Sequence, residues 1–513
     1  MSFFESLLAL LAVAILLLQV SRRLAIPYPT MLAAAGVGLA LIPGAPRIML
    51  DPHVALPLFI APTLVDAAFD FPAGAAWRLW RPLFALAVVA VAFSAGAVAW
   101  VGIALAGMPV YAALALGAIV APPDAAAATA ILSNVQLPRR SVVVLKGESL
   151  LNDASALLLF SAALWMQGHG KADAGLALEV GLAVPGGVLM GILLAKLFAR
   201  LTPFITGTLG GNLMEFVTSI GVWIIADRLG FSAVLCLVAF AMTISRGAGL
   251  RIRPRMRIHS YAVWDTVVFL LNVLAFLLMG FQARTIVGDM APERLREAGI
   301  FALAVIAALI VVRMAWVLLY YLAARRLPSF GSGARPPTLR HGLLVGWCGM
   351  RGLVTLATAI SLPGSFPQRE LIVLTAFAVV LATLVVQGLT LAPLARLLKL
   401  DGEDGLAAEL AAARADLASA ALTTLDGDTG PAADHWRYSF EATRSAATPQ
   451  GDPTPAEAKH RLGRTAIFRQ RERLEELRAE QRVGPDAFLV LQEELDFKEV
   501  ALSNDDERHI EEN

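Results

Sequence analysis

Two cysteines, Cys236 and Cys348, are all that this 513-residue chain contains. Both lie in apolar stretches, and their spacing suits neither a disulfide framework nor a Cys/His metal site, so they read as buried thiols. Charge is scarce as well. Asp, Glu, Lys and Arg make up 16% of the chain, hydrophobic residues 57%, and mean hydropathy is +0.67. That balance excludes a disordered chain and an ordinary soluble globular protein. The N-terminus lacks the basic region of a secretory leader. It is apolar apart from Ser2, Glu5, Ser6 and Gln19, with Arg22 and Arg23 following, and reads as a retained first helix. Gly-x-Ser-x-Gly and Gly-x-Gly-Asp motifs are absent, and Ser149 has no histidine near it in its segment, which argues against an intramembrane hydrolase.

What the chain has is long apolar runs. Thirteen are long enough to span a membrane, near 3–21, 27–43, 53–71, 82–106, 109–133, 141–166, 175–199, 210–228, 231–246, 260–283, 298–322, 341–362 and 371–398. The fold class this predicts is an all-α polytopic membrane protein. Placing the N-terminus outside puts 20 Lys/Arg in inner connections and 7 in outer ones, in keeping with the positive-inside rule. Charge also divides the chain. Residues 1–400 carry 29 basic and 16 acidic residues, and 401–513 carry 13 and 25, so a net of about +13 precedes a tail of about −12. The tail, placed inside, is expected to hold helices at 407–422, 457–482 and 488–501, with a Gly/Asp/Pro/Thr-rich linker near 425–456. Two readings of the tail stay open: a solvated helical appendage, or a regulator that docks on the basic inner face or binds a small regulator.

Polar residues interrupt the spans in few places. Asp66 is one. Glu148, Asn152 and Asp153 fall within one apolar run, where a charge costs several kcal/mol unless it faces a partner or a water-filled path. On a helix Glu148, Asn152 and Ser155 share one face, and Ser149 and Asp153 share the next. Pro122-Pro123-Asp124 sits in the fifth span, and paired prolines break a helix, leaving half-helix ends and free carbonyls. In the twelfth span Gly346, Gly349 and Gly352 surround Arg351, which can offset the negative end of a half-helix. One interrupted span in each half is the pattern of inverted-repeat transporters, with Asp124 offsetting a positive helix end. Arg313 lies in the middle of its span with no acid there and needs a carboxylate from elsewhere. Glu148 is the choice, leaving Asp153 for the ion. His259 and His341, at helix entrances beside arginines, read as interfacial residues.

With these residues in view, the chain resembles the monovalent cation:proton antiporters of the NhaP type and the eukaryotic sodium/proton exchangers. The resemblance covers about 5–400 and rests on the Asn-Asp stretch 147–154, on Trp347-Cys348-Gly349-Met350-Arg351-Gly352 and on Arg313. It implies inverted repeats with two broken, crossed helices (spans 5 and 12) and a core of spans at about 82–166 and 298–398. Scaffold and dimer spans would lie at about 3–71 and 175–283, within a transmembrane domain of 1–400 and an acidic regulatory tail of 401–513. Asp153 becomes the carrier that binds a cation or a proton in turn. Ser149, Asp124, Pro123, Asp66 and Asn152 surround the ion, Asn152 also bracing the crossing, while Glu148, Arg313 and Arg351 are structural. Two departures stand out. Asp66 replaces a glutamate common in relatives, and Pro123 replaces a threonine, keeping only its carbonyl. An Asn-Asp pair implies one titrating carboxylate and electroneutral exchange of one Na⁺ for one proton, with K⁺ as the alternative ion. A channel or ion sensor on the same scaffold is the rival. The resemblance further implies a homodimer in the lipid of a bacterial inner membrane, with no cofactor and no nucleic-acid partner.

Overall fold

The computed structural model describes residues 52–71, 73–124, 139–170, 173–205, 209–246, 254–288, 291–326, 338–398, 405–448, 452, 454–503 and isolated positions between 12 and 32. The runs at 3–21 and 27–43, and the second half of 109–133, lie outside the described residues apart from those positions. The described chain is helical and contains no strand. It divides into two units, 1–402 and 403–513.

In the first unit the helices are α1 (Pro52–Phe69), a short α2 (Ala73–Arg78), α3 (Trp80–Ala106), α4 (Val110–Val120) and α5 (Arg139–His169). Then come α6 (Ala174–Ile205), α7 (Leu209–Arg228), α8 (Ala233–Ser245), α9 (Pro254–Gly288) and α10 (Pro292–Arg326). The series ends with α11 (Leu339–Trp347), α12 (Leu353–Ile360) and α13 (Arg369–Leu397). Among the described residues six helices are long and apolar enough to cross a membrane. Helix α10 shows why such a segment starts and stops where it does. Pro292 is pre-set for the first turn, Glu293 meets the positive end and Arg325–Arg326 meet the negative end. Its outward residues Leu303 and Val311 are exposed hydrophobics, as a lipid-facing surface requires.

One apolar cluster joins α3, α4, α5, α10, α12 and α13 through residues such as Val98, Leu116, Phe160, Leu309 and Val379. In lipid, apolar side chains gain little by leaving the solvent for each other, so close packing decides. Gly117 of α4 illustrates this. A side chain there would run into the Ala95 backbone of α3, and its absence lets the two helices touch. A second cluster gathers α1, α6, α7 and α8 around Ile60, Leu64, Trp223 and Leu237, and meets Leu150 and Ala154 of α5.

The second unit is helical: α14 (Gly405–Thr424), α15 (Pro431–Ala447), α16 (Thr454–Ala479) and α17 (Pro485–Leu502). Here the expected linker at 425–456 is corrected, because α15 lies inside it. Asp426, Gly427, Asp428 and Gly430 form the turn before Pro431, which starts the helix, and Trp436 stacks on Phe440 one turn later at 5.6 Å. Helices α16 and α17 share a small core of Ile467, Leu474, Phe488 and Leu495, and Arg471 ties them by pairing with Asp496 and Glu499.

Candidate ion-binding site

Two helix breaks meet inside the first unit. Helix α4 stops at Val120 because Pro122 and Pro123 supply no backbone donors, and the chain runs unwound to Asp124. The α11–α12 break at 348–352 falls on its glycines. The backbones are joined directly: Asp124 N donates to Met350 O at 2.6 Å.

Arginines close the exposed helix ends. Arg351, fully buried, donates from Nε to Val120 O at 3.0 Å and from Nη2 to Ala121 O at 3.3 Å, with Nη1 on Gly349 O. It therefore meets the negative end of α4, the other broken span, rather than an end of its own. Its backbone N–H is held by Thr383 Oγ1 at 3.1 Å, from a π-helical turn, Thr383–Gln387, within α13. Arg313 does the same for α11, donating to Val345 O and Gly346 O at 3.2 Å each. Its remaining donors grip Glu148 in a fork, at 2.7 and 3.2 Å, with both residues buried. Sequence reasoning missed the carbonyl contacts of Arg313 and the part played by Thr383.

Helix α5 delivers the remaining groups. Asn152, wholly buried, donates from Nδ2 to Pro123 O at 2.7 Å, so the carbonyl left bare by the proline break is taken up. Its Oδ1 has no hydrogen-bond partner among the described residues. Asp153 follows at 8% exposure, within electrostatic range of Asp124. Ser149 stands one turn before Asp153 on the same face and is half-buried. The Asp124 carboxylate lies against Gly352, the residue that opens α12, where it faces the positive helix end. A Cβ at Gly352 would collide with that carboxylate. Gly352→Ala is therefore expected to push Asp124 away from the crossing and lower the transport rate at least tenfold, since losing one well-placed charge contact costs about 1.5–3 kcal/mol. Proteoliposome flux checks this; an alanine variant with the parental rate would show that the close approach is unimportant.

Asp66 sits elsewhere in the site's surroundings. It is half-buried on α1 and lines a cavity of about 520 Å³ with Asp70, Glu215, Arg257, Tyr261 and Trp264. Neither Asp124, Asn152 nor Asp153 lines that cavity. Glu215 Oε2 accepts from Ser260 Oγ at 2.8 Å and Trp264 Nε1 at 2.7 Å, joining α7 to α9. Nothing in the spacing of these residues announced that link. Among the described residues no three His, Cys, Asp or Glu side chains gather as a metal-binding group. The crossing offers one buried carboxylate beside a second that faces a helix end, a setting suited to a proton or a small monovalent cation.

Comparison with known proteins agrees with this geometry. Residues 8–397 match the family described as "Sodium/hydrogen exchanger, transmembrane". A protein of Mycobacterium tuberculosis named as an uncharacterized Na⁺/H⁺ exchanger is 32% identical over 435 residues, covering 82% of this chain and 79% of the relative. A Bacillus pumilus protein named as a sodium, potassium, lithium and rubidium/H⁺ antiporter is 30% identical over 388 residues, 71% of this chain and 57% of the relative. The solved structure of the sodium proton antiporter MjNhaP1 from Methanocaldococcus jannaschii has the same fold, with a TM-score of 0.60 and 18% identity over 79% of this chain and all of that one. The chain belongs to the transmembrane sodium/hydrogen exchanger family of cation/proton antiporters, and is a membrane transporter rather than an enzyme.

Proposed function

We propose that the protein exchanges one Na⁺ for one proton by alternating access, with Asp153 as the shared carrier. The observation that carries this reading is the position of Asp153. It is buried beside the crossing of two broken spans, next to an amide, Asn152, that is spent on the Pro123 carbonyl. A single carboxylate that holds either a proton or a monovalent cation carries the same charge in both half-cycles. Exchange then follows the two ion gradients and ignores membrane potential, and it slows at low pH because protons outcompete the cation. In this reading Ser149, one turn before Asp153, and Asp124 complete the ion's shell, while Asp66 lines the neighbouring cavity. The moving core is assigned to 82–166 and 298–398, and the scaffold and dimer surface to 3–71 and 175–283. The apolar cluster confined to α3–α5, α10, α12 and α13 supports that division. The positive-inside count supports a tail, 401–513, on the cytoplasmic side of a bacterial inner membrane.

In proteoliposomes with an imposed ΔpH, Na⁺ addition is expected to dissipate the gradient, and truncation after residue 400 to change the rate without removing the activity. No dissipation by any monovalent cation would reject the reading. K⁺ as the physiological ion is the second reading, favoured by the naming of the Bacillus pumilus relative. Comparing Na⁺, K⁺ and Li⁺ at equal concentration separates the two. Asn152→Asp supplies a further test. A second carboxylate at this depth is expected to displace the Pro123 contact and alter the pH profile of exchange, whereas an unchanged profile would contradict the role given to the amide.

A further inference from the structure

Away from the crossing, the outer surface of the first unit carries a groove of about 600 Å³ between the start of α3 and the end of α10. Its lining includes Trp80, Arg81, Phe84, Trp316, Leu319 and Tyr320. The volume falls within the roughly 300–1,000 Å³ of sites that hold small amphiphiles. The groove is held open by defined contacts. Trp316 Nε1 donates to Ala85 O at 2.9 Å, where α3 adopts a π-helical turn (Ala85–Ala90), and the Trp316 ring packs on Phe93 at 5.1 Å. Trp80 and Phe84 remain more than half exposed along its rim.

Charge marks one end of this groove. Phe93 packs on Trp316, and the earlier residues 80–89 share the groove with the later residues 316–323, so α3 and α10 run antiparallel here and the start of one meets the end of the other. Arg78 and Arg81 thus share an end with Arg325 and Arg326, and all four are exposed. Arg326 stands one turn beyond Ala323, which also lines the groove. None of the four pairs with a carboxylate among the described residues. Arg81 stacks over the Trp80 ring at 5.4 Å, which fixes one guanidinium at the mouth. Aromatic side chains with arginines just beyond them are the composition of a membrane interface, where the apolar body of a lipid meets its headgroup.

We infer that this groove is a binding site for an anionic phospholipid, one acyl chain lying along Phe84, Trp316 and Leu319 and the phosphate among Arg81, Arg78, Arg325 and Arg326. A neutral or zwitterionic lipid would fill the apolar part equally well but gain less at the arginines. The proposal does not depend on which ion is transported.

Native mass spectrometry of the full-length protein, incubated in detergent with dioleoylphosphatidylglycerol or dioleoylphosphatidylcholine, tests it. The wild type is expected to retain the anionic phosphatidylglycerol in preference, by roughly tenfold or more, since each interfacial arginine is worth about a factor of five. Arg81→Gln combined with Arg325→Gln should remove most of that preference. Arg396→Gln, an exposed arginine outside the groove, should preserve it. Ala323→Phe, which fills the groove and leaves every arginine in place, should lower retention of both lipids. Undiminished preference in the double variant, or undiminished retention in Ala323→Phe, would overturn the assignment.

Discussion

Asp153→Ala is expected to reduce cation-driven dissipation of an imposed ΔpH to the level of protein-free vesicles. The expectation follows from the geometry around α5. Asn152 is committed to the Pro123 carbonyl, Glu148 to Arg313, and Asp124 to the opening of α12. Among the described residues every other carboxylate of the crossing is committed to one of these contacts, so removal of Asp153 is expected to leave no carrier. Stability should move the other way. A carboxylate at 8% exposure bears a desolvation cost that no ion pair among the described residues offsets, so the alanine and asparagine variants are expected to melt at or above the parental temperature. Lost transport with retained stability identifies a carrier. Lost transport with lost stability would make Asp153 a structural residue.

The second large effect concerns Glu148 and Arg313. Neutralising one member of a buried, forked ion pair leaves the other charge unpaired, at a cost of about 3–5 kcal/mol. Arg313→Met should be the worse of the two single changes. It also strips donors from Val345 O and Gly346 O at the end of α11, each a buried acceptor worth about 1–3 kcal/mol when left bare. Glu148→Gln keeps a hydrogen-bonding side chain in place. The double variant Glu148→Gln/Arg313→Met is expected to be more stable than the sum of the single losses implies, with a coupling energy of about 1–3 kcal/mol. Strictly additive losses would mean that the two side chains act independently. Urea or thermal unfolding in detergent reads the difference.

The pairing of Glu148 with Arg313 was legible because both groups are charges in apolar runs, and a lone charge at that depth demands a partner. The helix breaks were legible because Pro122-Pro123 and the glycines near Arg351 act on the backbone locally. What could not be read was where Arg351 would turn. Its acceptors, Val120 O and Ala121 O, are backbone atoms some 230 residues away, and carbonyls carry no signature in a sequence. Thr383 was hidden for the same reason: one hydroxyl in an apolar helix looks like any other until a π-helical turn presents it to the Arg351 backbone. The cavity beside Asp66 depends on packing among α1, α6, α7, α8 and α9, and Glu215 is too far in sequence from Ser260 and Trp264 to suggest a network. In the tail, a Gly- and Asp-rich stretch concealed α15, whose Trp436–Phe440 stack is a helical i, i+4 contact.

The central claim is one proton for one cation at one carboxylate, and the null point of exchange tests it most directly. Proteoliposomes are held at a fixed ΔpH while the Na⁺ gradient is varied, with a membrane potential of either sign set by a chloride gradient and a chloride ionophore. Net proton flux is predicted to vanish where the Na⁺ gradient equals the proton gradient, whatever the potential. A null point that shifts with potential would show unequal numbers of charges moving and would contradict a single shared site at Asp153.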